Sequence, residues 1–166
     1  MKTLSRMLRH LFTTSAAARR AFPPATLAAI QNIISKGEVL HRAEVRLIIE
    51  PSLSLQDVLN GTSSRERALE LFSLYRIWDT AENCGVLIYI ELADHKVEIV
   101  ADRAVTEIIS NTEWQDICRT MTMGFAGNVY GESTMTALGK LNTLLHSRFP
   151  DDGSRSNQLS DHPIVL

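Results

Sequence analysis

Four oxygen-bearing side chains (Asp79, Glu82, Asn83 and Asp102) and one guanidinium (Arg103) flank a single predicted β-hairpin within WDTAENCGVLIYIELADHKVEIVADR, residues 78–103. Strands joined by a link of about three residues must run antiparallel. The start of the first at Gly85 then lies beside the end of the second at Ala101, and all five side chains gather at one edge of a sheet. Hard oxygens of this kind suit calcium, which tolerates irregular sets of about six to eight oxygen ligands, and less readily magnesium. Against this stands the reading in which Asp79 serves its own loop and the others are solvated. Asp102-Arg103 offers a second chemistry, a planar two-point donor for phosphate. The competing reading is a surface ion pair worth about 0–1 kcal/mol. Nucleophilic catalysis finds no motif: there is no Gly-x-Ser-x-Gly elbow, and Gly124, Gly127 and Gly131 lack the Lys-Ser/Thr of a phosphate loop. Cys84 reads as a small buried residue at the strand start.

The elements that must position these groups follow from spacing. Pro24 can open a helix whose stripe is Leu27, Ile30, Ile33 and Ile34. EVRLIIE, residues 44–50, predicts a strand that Pro51 stops. Asn60-Gly61 signals a turn, and Ser63 with Glu66 forms a capping box for a helix bearing Ala68, Leu71, Phe72, Tyr75 and Trp78. The unbroken apolar run GVLIYIEL predicts a strand covered on both faces, whereas KVEIVAD alternates like an antiparallel neighbour. A helical turn at 105–109, a helix capped at Asn111-Thr112 and a last helix over about 132–147 complete the order. Trp78 and Trp114 are expected in the core. If strand 44–50 runs parallel to strand 85–92, its start joins the same sheet end and brings Glu38, His41 and Glu44 with it. His41 is a candidate acid or base near neutral pH, or a structural hydrogen-bonder beside two glutamates.

Composition bounds the rest. With 166 residues, 45% apolar and 22% charged, the chain suits one globular core. The first 21 residues carry Lys2, Arg6, Arg9, Arg19 and Arg20 and no acid, a local charge of +5, which leaves the body at −7. An acidic body argues against nucleic acid as a partner. Leu4, Met7, Leu8, Leu11 and Phe12 recur at helical spacing, so residues 3–14 predict a basic amphipathic helix. Three roles stay open for it: packing on the domain, a partner-binding arm, or peripheral contact with a membrane surface. Arg6, Arg9 and His10 interrupt what a signal peptide would need as an apolar core. No run is long enough to span a bilayer. Two cysteines, Cys84 and Cys118, suit reduced thiols and a cytoplasmic protein. The expected organisation is a basic segment 1–22, an α/β domain 23–150, and a polar, mobile tail 151–166 whose final Pro-Ile-Val-Leu is able to dock.

Taken together, these residues resemble the TPM domain, related to thylakoid-lumen acid phosphatases, and most closely its soluble bacterial branch. The resemblance rests on Glu38-x-x-His41-x-x-Glu44, Arg67-Ala68, Trp78-Asp79-Thr80, Asn83-x-Gly85-Val-Leu-Ile-Tyr-Ile, Asp102-Arg103 and Phe149-Pro150, and covers roughly residues 24–150, with Asn157-x-Leu159 also familial. Two positions depart from the pattern: Cys84 replaces an Asn that would offer an oxygen, and Ala104 replaces a Gly. The resemblance implies a three-layer α/β/α sandwich with a small mixed sheet, built from a βαβ crossover and an antiparallel hairpin. It also implies calcium binding, weak acid phosphatase activity in some plant members, and accessory roles with an unknown protein partner in others. The expected function is therefore a cation-binding accessory module, with a metal-assisted phosphomonoester hydrolase as the alternative.

Overall fold

The computed structural model describes residues 2–153 and 157–166. In chain order the elements are α1 (Lys2–Phe12), α2 (Ser15–Ala21), α3 (Pro24–Glu38), β1 (Glu44–Glu50), α4 (Leu55–Asn60), α5 (Ser64–Leu74), β2 (Gly85–Glu91), β3 (Lys96–Ala101), α6 (Arg103–Thr106), α7 (Asn111–Ala126), α8 (Tyr130–Arg148) and β4 (Ile164–Val165). The sheet order is β3-β2-β1-β4. β1 runs parallel to β2 with Glu44 opposite Gly85, and β3 runs antiparallel to β2 with Val86 opposite Ala101. The sheet is thus mixed, and helices cover both of its faces.

Period-two alternation explains how β2 can be apolar throughout. Val86, Ile88 and Ile90 point to one side with Val45, Leu47 and Ile49, where α3, α7 and α8 supply Ile34, Met121 and Leu141. Leu87 and Tyr89 point to the other side, with Ile48, against Ala68, Leu71 and Ile77 around α5. Every residue of β2 is buried, the signature of a central strand between two helical layers. The second face also buries a polar network. The Arg67 guanidinium donates twice to Glu50, from Nε at 3.0 Å and Nη2 at 2.8 Å, and the Tyr89 hydroxyl donates to the same carboxylate at 2.6 Å.

Three differences from the sequence expectation have local causes. α5 ends at Leu74, and Arg76 adopts a left-handed φ of 52°. The chain leaves the helix one turn early, so Ile77 takes the buried position and Trp78 is 47% exposed, not in the core. Trp114 is half-buried against the main core. Residues 55–60 form a helix that six residues carry too little periodicity to announce; Ser54 caps its start, and Gly61 closes it at φ 78°. The polar tail returns to the sheet, where Ile164 and Val165 pair with Ile48 and Ile49 as a parallel fourth strand.

Gly85 matters for position, since it starts β2 directly under the α5–β2 connection. A Cβ there would lie 1.9 Å from the Ile77 carbonyl oxygen. Gly85→Ala is expected to destabilise the fold by about 1–3 kcal/mol, read as a lower urea midpoint with an unchanged slope.

Candidate functional site

The parallel β1–β2 register brings the α3–β1 loop, the α5–β2 loop and the end of β3 to one end of the sheet. There the Asp102 N–H donates to the Gly85 carbonyl at 2.9 Å, and the Ala104 N–H donates to the Asn83 carbonyl at 3.2 Å. Asn83, at φ 53°, sits where a short polar residue tolerates the left-handed region. Its Oδ1 accepts from Arg103 Nη2 at 3.3 Å. Asp102 caps α6, Oδ1 accepting from the Arg103 N–H at 2.7 Å, while its Oδ2 is buried without a partner. Ala104 lies inside α6, a right-handed position that does not need glycine. Asp79 faces solvent and pairs with Arg76 at 2.6 Å, and Glu82 pairs with Arg42 at 3.2 Å. Asn83, Asp102 and Arg103 therefore meet, whereas Asp79 and Glu82 are each drawn to an arginine of their own. Cys84 is buried, its N–H donating to Thr80 Oγ1 at 2.9 Å. Neither cysteine is in a disulfide.

The glutamates and histidine ahead of β1 form a second group at the same end. His41 is fully buried, with Nδ1 3.1 Å from the Ala43 carbonyl and Nε2 3.2 Å from Asn142 Oδ1, so it bridges the loop to α8. Glu44 accepts the N–H groups of Gln158 and Leu159 at 3.2 and 3.0 Å and anchors the tail. Glu38 accepts the Val45 N–H through Oε1 at 2.6 Å, and its Oε2 is buried without a hydrogen-bond donor. Burial, reinforced by the charges of Glu44 and Asp161, pushes the Glu38 carboxyl up to about 9. Burial beside the carboxylate of Asp161 thus favours its neutral form.

Glu38 lines a cleft of about 270 Å³ together with Ser35, Val39, Asp151, Asn157 and Asp161. Asn157 Nδ2 donates to Asp161 Oδ1 at 2.7 Å, and Asp151 Oδ1 is buried without a partner. Among the described residues, four of the five buried partnerless side-chain atoms (Glu38 Oε2, Arg42 Nε, Asp102 Oδ2 and Asp151 Oδ1) lie at this sheet end. Asp151 and Asp161 carried no sequence signal, because they come from the polar tail beyond Phe149-Pro150. The pairing of Pro150 with His41, with the Asp151 N–H donating to the Leu40 carbonyl at 3.0 Å, places Asp151 beside Glu38, and the return of the chain to β1 brings Asp161.

A third constellation stands at the opposite end of the sheet. His10, Glu91 and Asp94 hold ligand atoms within 4.8 Å of one another, the one such triplet among the described residues. Its donor set suits a transition metal, but its charges are already matched. Arg6 Nε and Arg9 Nη2 each contact Asp94 at 2.6 Å, one on each oxygen. His10 Nδ1 accepts the Leu53 N–H at 3.0 Å, leaving Nε2 3.2 Å from Asp94. Burial works against the Asp94 charge, yet hydrogen bonds from Arg9, Arg6 and His10 outweigh it and hold the carboxyl down at about 2. Burial, with Asp94 adjacent, pushes Glu91 up to about 7. A cation here would have to expel two guanidiniums, so these residues form a clasp for α1. Spacing gives no hint of a contact between residues 84 positions apart.

Comparison with known proteins follows this geometry. The family model of the TPM domain matches residues 17–143. The chain is similar in fold to the solution structure of the BA42 protein from the psychrophilic bacterium Bizionia argentinensis, at TM-score 0.73 and 21% identity, over 86% of this chain and 93% of that one. No curated protein sequence matches it. The matched segment contains β1 to β3, the helices of both layers and the 79–83/102 edge, and on that extent the chain belongs to the TPM domain family.

Proposed function

We propose that this TPM domain is an accessory, protein-interaction module that takes a divalent cation, calcium in preference to magnesium, at the sheet end where β1 and β2 begin. The observation that carries the reading is that two buried carboxyl oxygens with no donor, Glu38 Oε2 and Asp151 Oδ1, belong to residues lining one cleft with Asp161. Buried acceptors without partners are costly, and a cation satisfies several at once. The cleft of Glu38, Asp151, Asp161 and Asn157 offers oxygen donors only, from side chains of unequal length, which fits calcium's irregular shell better than magnesium's octahedron. The loop set Asp79, Glu82, Asn83 and Asp102 is the alternative seat, weakened by the arginines that stand on Asp79 and Glu82. A cation in the cleft would replace the proton on Glu38 and tie the tail to α3, making the tail segment a cation-dependent part of the surface offered to a partner protein. No described helix is long and apolar enough to cross a membrane, and cysteines kept as thiols suit the cytoplasm.

Calorimetric titration with calcium and with magnesium tests the reading. Calcium is expected to bind, Asp161→Ala to weaken it about tenfold or more, as loss of one charged ligand would, and Asp102→Ala to leave it unchanged. No heat with either ion would overturn the module's cation site. Heat abolished by Asp79→Ala and Asp102→Ala, but not by Asp161→Ala, would move the site to the loop. Chelator-sensitive hydrolysis of a phosphomonoester, lost with the same substitutions, would replace the accessory reading with the phosphatase.

A further inference from the structure

α1 is an amphipathic helix that faces the wrong way for a soluble domain. Its polar side is turned inward: His10 is buried, Arg6 is half-buried and donates to Asp94 and the Thr62 carbonyl, and Arg9 reaches the other Asp94 oxygen. Its apolar side is turned outward, with Leu4 64%, Leu8 46%, Leu11 55% and Phe12 75% exposed. These positions recur at helical spacing and so share one stripe. The stripe continues onto α4, which packs against α1. Leu11 and Leu55 line one groove, and Leu55 and Leu59, four apart on the same helix face, are both exposed. An ordinary surface helix buries such a stripe and solvates its charges. Here an ionic clasp holds the helix in the inverse orientation, which leaves a contiguous apolar patch on a soluble face.

Charge identifies what covers it. Residues 1–21 hold five basic side chains and no acid, against −7 on the rest of the chain. Asp94, the acid nearest α1, is already neutralised by Arg6 and Arg9. Arg19 and Arg20 are exposed on α2, and Arg20 lines a cleft of about 490 Å³ with Arg9 and Thr13 at the end of α1 and with His95. Exposed leucines and a phenylalanine in a leading segment with exposed arginines match the boundary between acyl chains and anionic headgroups. A second copy of the chain would instead set two +5 segments against each other. We propose that the α1–α4 face docks on an anionic phospholipid surface, with Leu4, Leu8, Leu11 and Phe12 entering the headgroup–acyl boundary and Arg19 and Arg20 meeting lipid phosphates. The residues proposed to enter the lipid are on α1, outside the family match, and the proposal is independent of the cation cleft.

Co-sedimentation of the full chain with vesicles tests it. Vesicles of equal parts phosphatidylglycerol and phosphatidylcholine are expected to bind the protein, pure phosphatidylcholine to bind it about tenfold more weakly or less, and raised salt to release it. The double substitution Leu8→Glu with Phe12→Glu, at exposed positions, is expected to abolish binding while the thermal melt stays unchanged. Arg19→Glu with Arg20→Glu is expected to remove the preference for anionic lipid. No binding of the unmodified chain to anionic vesicles overturns the proposal, as does binding that survives Leu8→Glu with Phe12→Glu. A dimer on size exclusion that this substitution dissociates, without vesicle binding, assigns the face to self-association instead.

Discussion

Glu38→Gln is expected to make the metal-free protein more stable at pH 8 by a few kcal/mol and nearly neutral at pH 4. The sign follows from the direction of the shift. The folded Glu38 holds its proton up to about 9, against an ordinary value of 4.5. As pH rises between those values, the unfolded chain releases a proton that the native state keeps, and stability falls by on the order of 1 kcal/mol per pH unit. Above about 9 the loss levels off, since both states are then ionised. Gln keeps the acceptor for the Val45 N–H and presents N–H donors in place of the carboxyl proton, so the pH dependence should flatten. Urea titrations at pH 4 and pH 8 check it; an equal gap at both would mean that Glu38 is ionised in the fold. The same substitution is expected to weaken calcium, because it removes the negative oxygen the ion would take. Calcium binding to the unsubstituted chain should accordingly strengthen with pH, with one proton released per ion.

Arg67→Ala is expected to cost about 3–5 kcal/mol, the usual penalty for stripping one partner from a buried ion pair. Glu50 is buried beneath α5 and takes two guanidinium hydrogen bonds and the Tyr89 hydroxyl. Without Arg67 its charge has no counterion on that face. The double substitution Arg67→Ala with Glu50→Gln should recover part of the loss, since a neutral amide still accepts from Tyr89 without a charge to desolvate. Denaturant midpoints for the two single changes and the double form the cycle that measures the coupling. Additive effects would mean that the pair is solvated in the native state.

The hairpin and crossover were legible because they depend on local rules. A short link forces antiparallel strands, and an uninterrupted apolar run forces cover on both faces of β2. Those rules brought Gly85, Ala101 and Glu44 to one sheet end, as the register has it. The Ser63–Glu66 capping box was equally readable. Trp78 was misplaced because helical spacing does not show where a helix stops; the left-handed Arg76 hands the buried position to Ile77. The candidate site was half legible for a similar reason. Asp102 and Asn83 are positioned by the hairpin itself, but Asp151 is held near Glu38 by the His41–Pro150 bridge and Asp161 by the return of the tail to β1, pairings with no pattern of their own.

What the sequence determined by itself, then, is a central strand covered on both faces, the sheet end where acids gather, and the imbalance between a +5 leading segment and a −7 body. Periodicity, turn length and charge are properties of neighbours along the chain. What only the tertiary structure decided is which acids are left without donors and which way α1 faces. Amphipathicity showed that the helix has an apolar stripe, and spacing alone would have sent it inward. Asp94, brought to Arg6, Arg9 and His10 by the β2–β3 turn, turns it outward, because buried charges must be paired before leucines can be hidden.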